Sequence, residues 1–211
     1  MKKTNRIRLF DKWAEVYDEK IHSRDDFPFV GYDEVLDEIF RLAVPMPEAK
    51  ILDLGTGTGN LAEVFIKSGC NVWGIDFSSE MLRRAREKLP QAHFVEADLL
   101  SQLPDIVPSK FDRVVSAYVF HEFDLSTKIS LIGRFMQTHL DNDGYMVIGD
   151  ISFEDKKNLD HAQKRWKNQW DDEEFYWIAD DTIQALGTMN IMAEYRQISD
   201  CGGVYRIRQR K

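Results

Sequence analysis

The stretch that most restricts the fold of this chain is ILDLGTGTGN, residues 51–60, where an apolar run leads into three glycines within five positions. A short apolar run followed at once by glycines predicts a strand that turns directly into a helix. Glycine permits backbone torsions closed to other residues and lets a ligand lie against the main chain. A tight turn without a ligand explains the glycines equally well when they are taken alone.

Short runs rich in β-forming residues alternate along the chain with longer stretches of helical period, which predicts a mostly parallel sheet covered by helices on both faces. The segment YDEVLDEIFRLA before the first strand carries a helix-period apolar stripe. Near the end, two alternating runs flank residues 200–203, Asp-Cys-Gly-Gly, and predict an antiparallel hairpin. The five predicted parallel strands lie in KILDLG, NVWGIDF, AHFVEAD, FDRVVSAYV and GYMVIGDI.

Composition limits the class of protein. A chain of 211 residues that is 43% hydrophobic can bury one sizeable core, so we expect one domain over residues 1–211. A net charge of -8, with the acids spread along the chain, argues against nucleic acid and membrane partners. No apolar run approaches the roughly 18 residues of a membrane span, and the first residues lack an apolar signal core, so we expect a cytoplasmic location. Cys70 and Cys201 lack metal-ligand spacing and predict reduced thiols and no metal site.

Three successive predicted strands each end near an aspartate: Asp53, Asp76 and Asp98. The carboxyl ends of parallel strands share one sheet edge, where open α/β folds bind ligands. Asp76 can reach ribose hydroxyls there. Asp53 would repel a pyrophosphate but could accept a hydrogen bond from an amino group. The dinucleotide spacing G-x-G-x-x-G requires Gly or Ala where this chain has Asn60. Helix capping is the alternative role for Asp76 and for Asp98 taken singly.

Together these motifs resemble the class I S-adenosylmethionine-dependent methyltransferases, in particular the small stand-alone bacterial ones of the YrrT type. The resemblance covers nearly the whole chain, in FDKWAEVYDEK, ILDLGTGTGNLA, GIDFSSEMLRRA, FVEADLL, FDRVVSAYVFHEF and HLDNDGYMVIGDI. It implies a Rossmann-like fold with a mostly parallel seven-stranded sheet that ends in an antiparallel hairpin. It also implies S-adenosyl-L-methionine as the cofactor.

The resemblance further implies which residues contact each part of the cofactor. The glycine loop would let the methionine part lie close to the chain, with Asp53 orienting the loop or the amino group. Asp76 would take the ribose hydroxyls. Asp98 would accept from the adenine amino group with the Leu99 backbone next to it, and Phe77 and Met81 would contact the adenine faces. Met81 has an alternative as core filler, because methionine packs adaptably. The full implied set is Tyr17, Asp53, Gly55, Thr56, Gly57, Gly59, Asp76, Phe77, Met81, Asp98, Leu99 and Ser116.

The exit of the fourth strand, VVSAYVFHEF, is where this family places residues between cofactor and methyl acceptor, so Ser116, Tyr118 and His121 are candidates for that position. Methyl transfer needs in-line approach of a nucleophile, and positioning carries much of the acceleration. A base is needed only if the acceptor must lose a proton, and His121 is the candidate for it near neutral pH. A packed structural histidine beside Phe120 and Phe123 is the alternative.

Two aromatic segments remain. In LFDKWAEVYDEK, residues Phe10, Trp13 and Tyr17 follow helical spacing, and the resemblance implies that this part of an N-terminal helical cap, residues 1–45, folds over the cofactor. An amphipathic helix on the sheet edge is the alternative. Within residues 152–185 lies HAQKRWKNQWDDEEFYWIADD, whose aromatics fit a lid that excludes water, a helix–helix contact or a homodimer interface.

The sequence therefore predicts methyl transfer from S-adenosylmethionine to a small soluble acceptor, without nucleic acid or membrane partners. One alternative is a nicotinamide-dependent oxidoreductase on a related sheet, which Asn60 and Asp53 disfavour. The other is a non-catalytic module that binds S-adenosylmethionine.

Overall fold

Strands and helices alternate along residues 26–210, the part of the chain that the structure, a computed structural model, describes. The strands are β1 Lys50–Leu54, β2 Asn71–Asp76, β3 His93–Glu96, β4 Phe111–Ala117, β5 Leu140–Phe153, β6 Trp177–Ile178, β7 Ile191–Gln197 and β8 Gly202–Gln209. The helices are α1 Tyr32–Ala43, α2 Asn60–Lys67, α3 Ser79–Lys88, α4 Leu125–Thr138, α5 Lys156–Arg165 and α6 Ala179–Thr188. A 3₁₀ turn, Phe120–Glu122, follows β4.

Seven of these strands form one continuous path in the order β3-β2-β1-β4-β5-β8-β7. Strands β1 to β5 pair in parallel, and β8 pairs antiparallel with both β5 and β7. The predicted α/β class, with a mostly parallel seven-stranded sheet and a C-terminal hairpin, is confirmed. Strand β6 pairs in parallel with β5 beside this path and was not predicted, because two residues carry no periodic signal.

Two element boundaries differ from the sequence prediction. Strand β3 ends at Glu96, so Asp98 lies two residues beyond it and not at its last position. Strand β5 runs from Leu140 to Phe153 and is longer than GYMVIGDI at both ends, because Leu140 pairs with Phe111 of β4 and because Ser152 and Phe153 pair with β6. Helix α1, by contrast, has the bounds of the predicted segment YDEVLDEIFRLA.

The core lies on both faces of the sheet. Side chains alternate along β1, since successive strand residues point to opposite faces. Ile51 packs in the cluster that contains α1 and α2 residues, among them Val35 and Phe65. Leu52 packs in the opposite cluster, with Leu131 and Phe135 of α4. This arrangement leaves the carboxyl edge of the sheet for the loops that form the site.

Part of the predicted N-terminal cap, including Phe10, Trp13 and Tyr17, falls outside the described residues, so the cap over residues 1–45 stays a prediction beyond α1. The same holds for the single domain over residues 1–211. No helix in the range 26–210 combines the length and the apolar character of a membrane span.

Residues 152–185 contain the end of β5, α5, β6 and the start of α6. Their aromatic side chains pack within the chain. The ring of Phe27 stacks on Trp166 and Trp170, with centroids 6.0 and 5.4 Å away, and meets Tyr176 edge-on at 5.8 Å. Aromatic pairs at such distances stabilise the fold beyond the contribution of the surface area that they bury. These rings therefore pack within the chain, but against Phe27 in a turn and not between two helices, while the lid and the homodimer interface stay predictions.

Candidate active site

The glycine loop between β1 and α2 has the backbone that its sequence predicts. Gly55, Gly57 and Gly59 have φ angles of 70, 55 and 86°, in the left-handed region that favours glycine. A Cβ atom on Gly55 would lie 2.2 Å from Cγ2 of Val119, so packing requires a glycine there. A Cβ atom on Gly57 would meet no protein atom within 4 Å. Gly57 therefore borders open space in which a ligand can approach the main chain.

That open space is a cleft above the carboxyl end of β1. It is lined by the glycine loop with Asp53 and Thr56, by the start of α2, by Ala117 at the end of β4 and by Tyr32 of α1. The cleft thus brings together residues that the sequence predicted for the methionine end of the cofactor. Tyr32 was not predicted, because its helical position carries no signal beyond the apolar stripe of α1.

Asp53 is buried in the cleft floor, 1% exposed, and its Oδ2 accepts a hydrogen bond of 2.6 Å from the Thr56 hydroxyl. Burial raises the pKa of Asp53 to about 7, and the nearby charge of Asp76 also raises it, against a lowering by Thr56. A carboxyl group with such a pKa loses its proton and becomes ionised when a cationic group binds beside it. Asp53 therefore fits the amino group of a ligand that lies along the loop.

Asp76 lies at the end of β2, and each of its two carboxylate oxygens accepts a hydrogen bond from the backbone of a neighbouring loop. Its Oδ2 accepts from the Gly57 amide at 2.9 Å, and its Oδ1 accepts from the Ser78 amide at 2.9 Å. The N-cap of α3 is Ser78, whose Oγ accepts from the Met81 amide. Capping of α3 is accordingly the role of Ser78, and Asp76 fixes the glycine loop beside the place predicted for the ribose.

The residues predicted for the adenine lie on the same sheet edge. The Oδ1 atom of Asp98 accepts from the Leu100 amide at 3.0 Å, and Leu99 is buried. Phe77 is half-buried directly after β2. Met81 is 2% exposed on the inner side of α3, which agrees with the core-filler alternative. Its contact with adenine stays a prediction.

Ser116 was also predicted to contact the cofactor. It is fully buried, and its hydroxyl donates to the Leu54 carbonyl at 2.7 Å. This bond ties the ends of β1 and β4 together. A cofactor contact by Ser116 would have to share that hydroxyl, so it stays a prediction.

His121 lies in the 3₁₀ turn after β4 and is 8% exposed. Its Nδ1 atom lies 2.6 Å from Oδ1 of Asp150, and its backbone amide donates to Oδ2 of the same carboxylate at 2.9 Å. Its Nε2 atom faces Glu174, with Oε1 3.8 Å away. Burial alone lowers the pKa of His121, but the charges of Asp150 and Glu174 and the Asp150 hydrogen bond outweigh it, so the pKa is raised.

A buried lysine completes the surroundings of this histidine. Lys128 of α4 donates to the Phe175 carbonyl and places its ammonium 4.8 Å from the ring centre of Trp177. Burial lowers the pKa of Lys128 to about 8, although Asp150 and Asp124 raise it. The Phe175 amide in turn donates to the His121 carbonyl at 2.7 Å. Residues 174–177 are thereby held against the 3₁₀ turn.

Two features of this region were missed from the sequence: the role of Asp150, and the aromatic cluster around Tyr118, although Tyr118 itself was a candidate. Asp150 follows the same pattern of an acid late in a β-rich run, in GYMVIGD, and could have been found by extending that pattern to the fifth strand. The rings of Phe29, Tyr32 and Tyr118 pack together at 5.1 to 6.1 Å, and Tyr118 has a left-handed φ of 55°. Such torsions in a bulky residue concentrate at functional sites.

Ligand atoms of His121, Glu122 and Glu174 all lie within 4.8 Å of one another. Carboxylates and a histidine at this spacing also occur around organic ligands, and His121 is already engaged by Asp150. The expectation of no metal stays a prediction.

The fold and the cleft together define an α/β enzyme that holds a cofactor at the carboxyl edge of its sheet, with acids at the ends of two adjacent strands. Comparisons with known proteins agree. The family described as "Methyltransferase domain" matches residues 51–144. An uncharacterized methyltransferase of Oceanobacillus iheyensis is 30% identical over 204 residues, which cover 92% of each chain. One of Geobacillus thermodenitrificans is 34% identical over 155 residues, 72% of this chain and 69% of that protein.

Solved structures show the same fold. The magnesium protoporphyrin IX methyltransferase of Synechocystis PCC 6803 with bound S-adenosylhomocysteine has a TM-score of 0.76 at 18% identity, covering 98% of this chain and 99% of that one. The YcgJ protein of Bacillus subtilis has a TM-score of 0.63 at 20% identity, covering 78% and 71%.

This chain belongs to the class I S-adenosylmethionine-dependent methyltransferases. It is accordingly an enzyme, and its cofactor is S-adenosylmethionine. The open space at Gly57 and the raised pKa of Asp53 fit an amino-bearing ligand at the glycine loop. The nicotinamide-dependent and non-catalytic alternatives are set aside.

Proposed function

We propose that this methyltransferase acts on a small soluble acceptor, which binds between the exit of β4 and residues 174–177. The observation that carries the proposal is the buried His121–Asp150 pair, with Nδ1 and Oδ1 2.6 Å apart. A position beside the cofactor is supported by the chain connection, since Ala117, the last residue of β4, lines the cleft and His121 lies in the 3₁₀ turn that follows.

The cofactor residues in this proposal are those predicted from the sequence. When bound, S-adenosylmethionine supplies an electrophilic methyl group on a sulfonium. Asp53 accepts from the amino group, Asp76 from the ribose hydroxyls and Asp98 from the adenine amino group. Asp76 already holds the Gly57 amide, so the loop and the ribose site are fixed by one carboxylate.

His121 acts on the acceptor. Its Nε2 atom takes a proton from an acceptor heteroatom, which uses the freed electron pair to bond the methyl carbon. The electrons of the broken carbon–sulfur bond stay on the sulfur. The rest of the acceleration comes from holding the acceptor in line with that bond and away from water.

A small acceptor is supported by the enclosure of this region. Residues 174–177 are bonded to the 3₁₀ turn through Phe175 and to Asp150 through the indole of Trp177, 3.1 Å away, which limits the room at His121. The net charge of -8 gives no general attraction for nucleic acid or anionic membranes. We extend the proposal to a cytoplasmic enzyme, since Cys70 and Cys201 are free buried thiols. A homodimer is compatible with it, with Phe175 half exposed.

The experiment is a screen of a fractionated metabolite extract with S-adenosylmethionine labelled in its methyl group. We expect enzyme-dependent label in the low-molecular-weight fraction, and none with a variant that does not bind the cofactor. Label that appears only in protein or nucleic acid would overturn the small acceptor. That outcome would not overturn the methyltransferase assignment, which is tested separately by measuring the binding of S-adenosylhomocysteine.

A further inference from the structure

We propose that Asp150 is a positioning residue for methyl transfer, which fixes the His121 ring with Nδ1 protonated and Nε2 turned to the acceptor. The inference rests on the proposed function, in which His121 takes a proton from the acceptor. It assigns to Asp150 the role of determining which ring nitrogen of His121 takes the proton.

The contacts of Asp150 define the orientation of the ring. Asp150 is fully buried on β5, and its two oxygens receive the Nδ1 and the backbone amide of the same residue, His121, at 2.6 and 2.9 Å. The backbone and the ring are therefore held at once. An ionised carboxylate only accepts hydrogen bonds, so Nδ1 has to carry the proton and Nε2 is the basic nitrogen of the neutral ring.

The remaining partners of Asp150 keep it in the ionised form. The Ile151 amide donates to Oδ1 at 2.8 Å, and the Trp177 indole donates to Oδ2 at 3.1 Å. Four donors around one carboxylate favour the charged form. Burial raises the pKa of Asp150, but His121, Lys128 and the Ile151 amide outweigh it and the pKa is lowered.

The other side of the ring faces Glu174. Nε2 lies 3.8 Å from Oε1 of Glu174, too far for a direct hydrogen bond. A single atom to the side of both can lie about 2.8 Å from each, which is a normal hydrogen-bond distance. With one hydrogen it can donate to Nε2, and with a second hydrogen it can also donate to Oε1. The geometry thus fits an acceptor heteroatom that carries hydrogen, an alcohol or an amine.

Charged groups reach His121 from every element packed against it: Asp150 on β5, Glu174 before β6, Lys128 on α4 and the neighbouring Glu122. Removing the charge of Asp150 alone while keeping its shape isolates its effect on the ring. In Asp150→Asn the amide oxygen can still serve the His121 and Trp177 N–H groups. Its NH₂ group then faces both Nδ1 and the Ile151 amide, which loses its acceptor. Nδ1 can become an acceptor whereas the backbone amide cannot, so the proton moves to Nε2.

The test reads the tautomer of His121 by nitrogen NMR with isotope-labelled histidine, which needs no acceptor. The chain has five histidines, so a His121→Gln sample assigns the signal. We expect Nδ1–H in the wild type, a switch to Nε2–H in Asp150→Asn, and no switch in the control Trp177→Phe, which removes a different donor to the same carboxylate. A neutral wild-type ring protonated at Nε2 overturns the inference even if Asp150→Asn fails to fold.

Turnover gives the second readout once an acceptor is known. We expect Asp150→Asn to lower kcat by about 10²–10⁴, the share of general acid–base catalysis, with an affinity for S-adenosylhomocysteine within about twofold of wild type. A wild-type kcat in Asp150→Asn would overturn the positioning role. A wild-type kcat in His121→Gln would instead overturn the histidine of the proposed function, and the tautomer result separates the two.

Discussion

The Asp76 carboxylate joins the two loops of the cofactor cleft, because it accepts a hydrogen bond of 2.9 Å from the Gly57 amide while its other oxygen holds the start of α3. The residue proposed to take the ribose hydroxyls thus also sets the position of the loop proposed for the methionine part. We therefore expect binding of the two halves of the cofactor to be coupled through this side chain.

Replacing Asp76 with Ala should weaken S-adenosylhomocysteine binding by about 1.5–3 kcal/mol, the range for hydrogen bonds to charged groups. The variant loses the contact with the ribose, and it also loses the hydrogen bond to the Gly57 amide that fixes the glycine loop. Titration calorimetry measures the change. The control is Ser78→Ala, which should cost about 1 kcal/mol of stability through the lost cap and leave affinity nearly unchanged. Equal affinity of Asp76→Ala and wild type would remove Asp76 from the site.

Replacing Gly57 with Val should abolish cofactor binding and leave the fold in place at reduced stability. No protein atom lies within 4 Å of the added Cβ, so the clash is with the ligand, while the φ of 55° strains a branched residue. Gly69 is a matched control, since its φ is 81° and its Cβ would also meet nothing within 4 Å. Gly69→Val should lose stability and keep binding. If Gly57→Val binds S-adenosylhomocysteine normally, the glycine loop is a tight turn that does not contact the cofactor.

Binding of S-adenosylhomocysteine should release a proton near neutral pH. Burial raises the pKa of Asp53 to about 7, and an ammonium beside it favours the carboxylate, so affinity should rise from about pH 6 to about pH 8. Calorimetry in two buffers of different ionisation enthalpy counts the protons. Asp53→Asn should bind without this release. A wild type that binds with no proton linkage would place the amino group away from Asp53.

Replacing His121 with Gln should leave cofactor affinity nearly intact and lower turnover by about 10²–10⁴. The wild-type rate should fall below an apparent pKa that lies above the usual value of about 6.5, because Asp150 and Glu174 raise the pKa of His121 more than burial and Lys128 lower it. The variant should lose this inflection. Turnover close to wild type would leave His121 a packed structural residue.

The same pair predicts a pH-dependent stability that needs no acceptor. The folded pKa of His121 is above its unfolded value, so the charged ring stabilises the protein fully below about pH 6.5, and this contribution is lost as pH rises through the folded pKa. The stability difference between wild type and His121→Gln, from urea unfolding, should therefore shrink as the pH rises above about 6.5 and through the folded pKa. A difference that grows with pH would contradict the raised pKa.

Much of the fold could be read from the sequence because its signals are local. Alternating apolar residues and turn residues marked β1, β2, β4 and the β7–β8 hairpin, and the stripe of α1 was found with its bounds. The glycines of residues 55–59 and the acids Asp53 and Asp76 could be placed on one edge, because the carboxyl ends of parallel strands must meet there. Cofactor class followed from that edge and from the family resemblance.

The tertiary structure alone decided which of those residues touch. Asp150 and His121 are 29 residues apart and meet only because β5 lies beside β4, and Gly57 and Asp76 are 19 apart and meet only because β2 lies beside β1. Lys128 reaches Phe175 over 47 residues, and no periodic pattern reports that contact. Sequence patterns record the face and the element of a residue. Distances between side chains, and the pKa shifts they cause, depend on how the elements pack, which is why the sequence determined the fold and the cofactor edge while the structure determined the partners of His121.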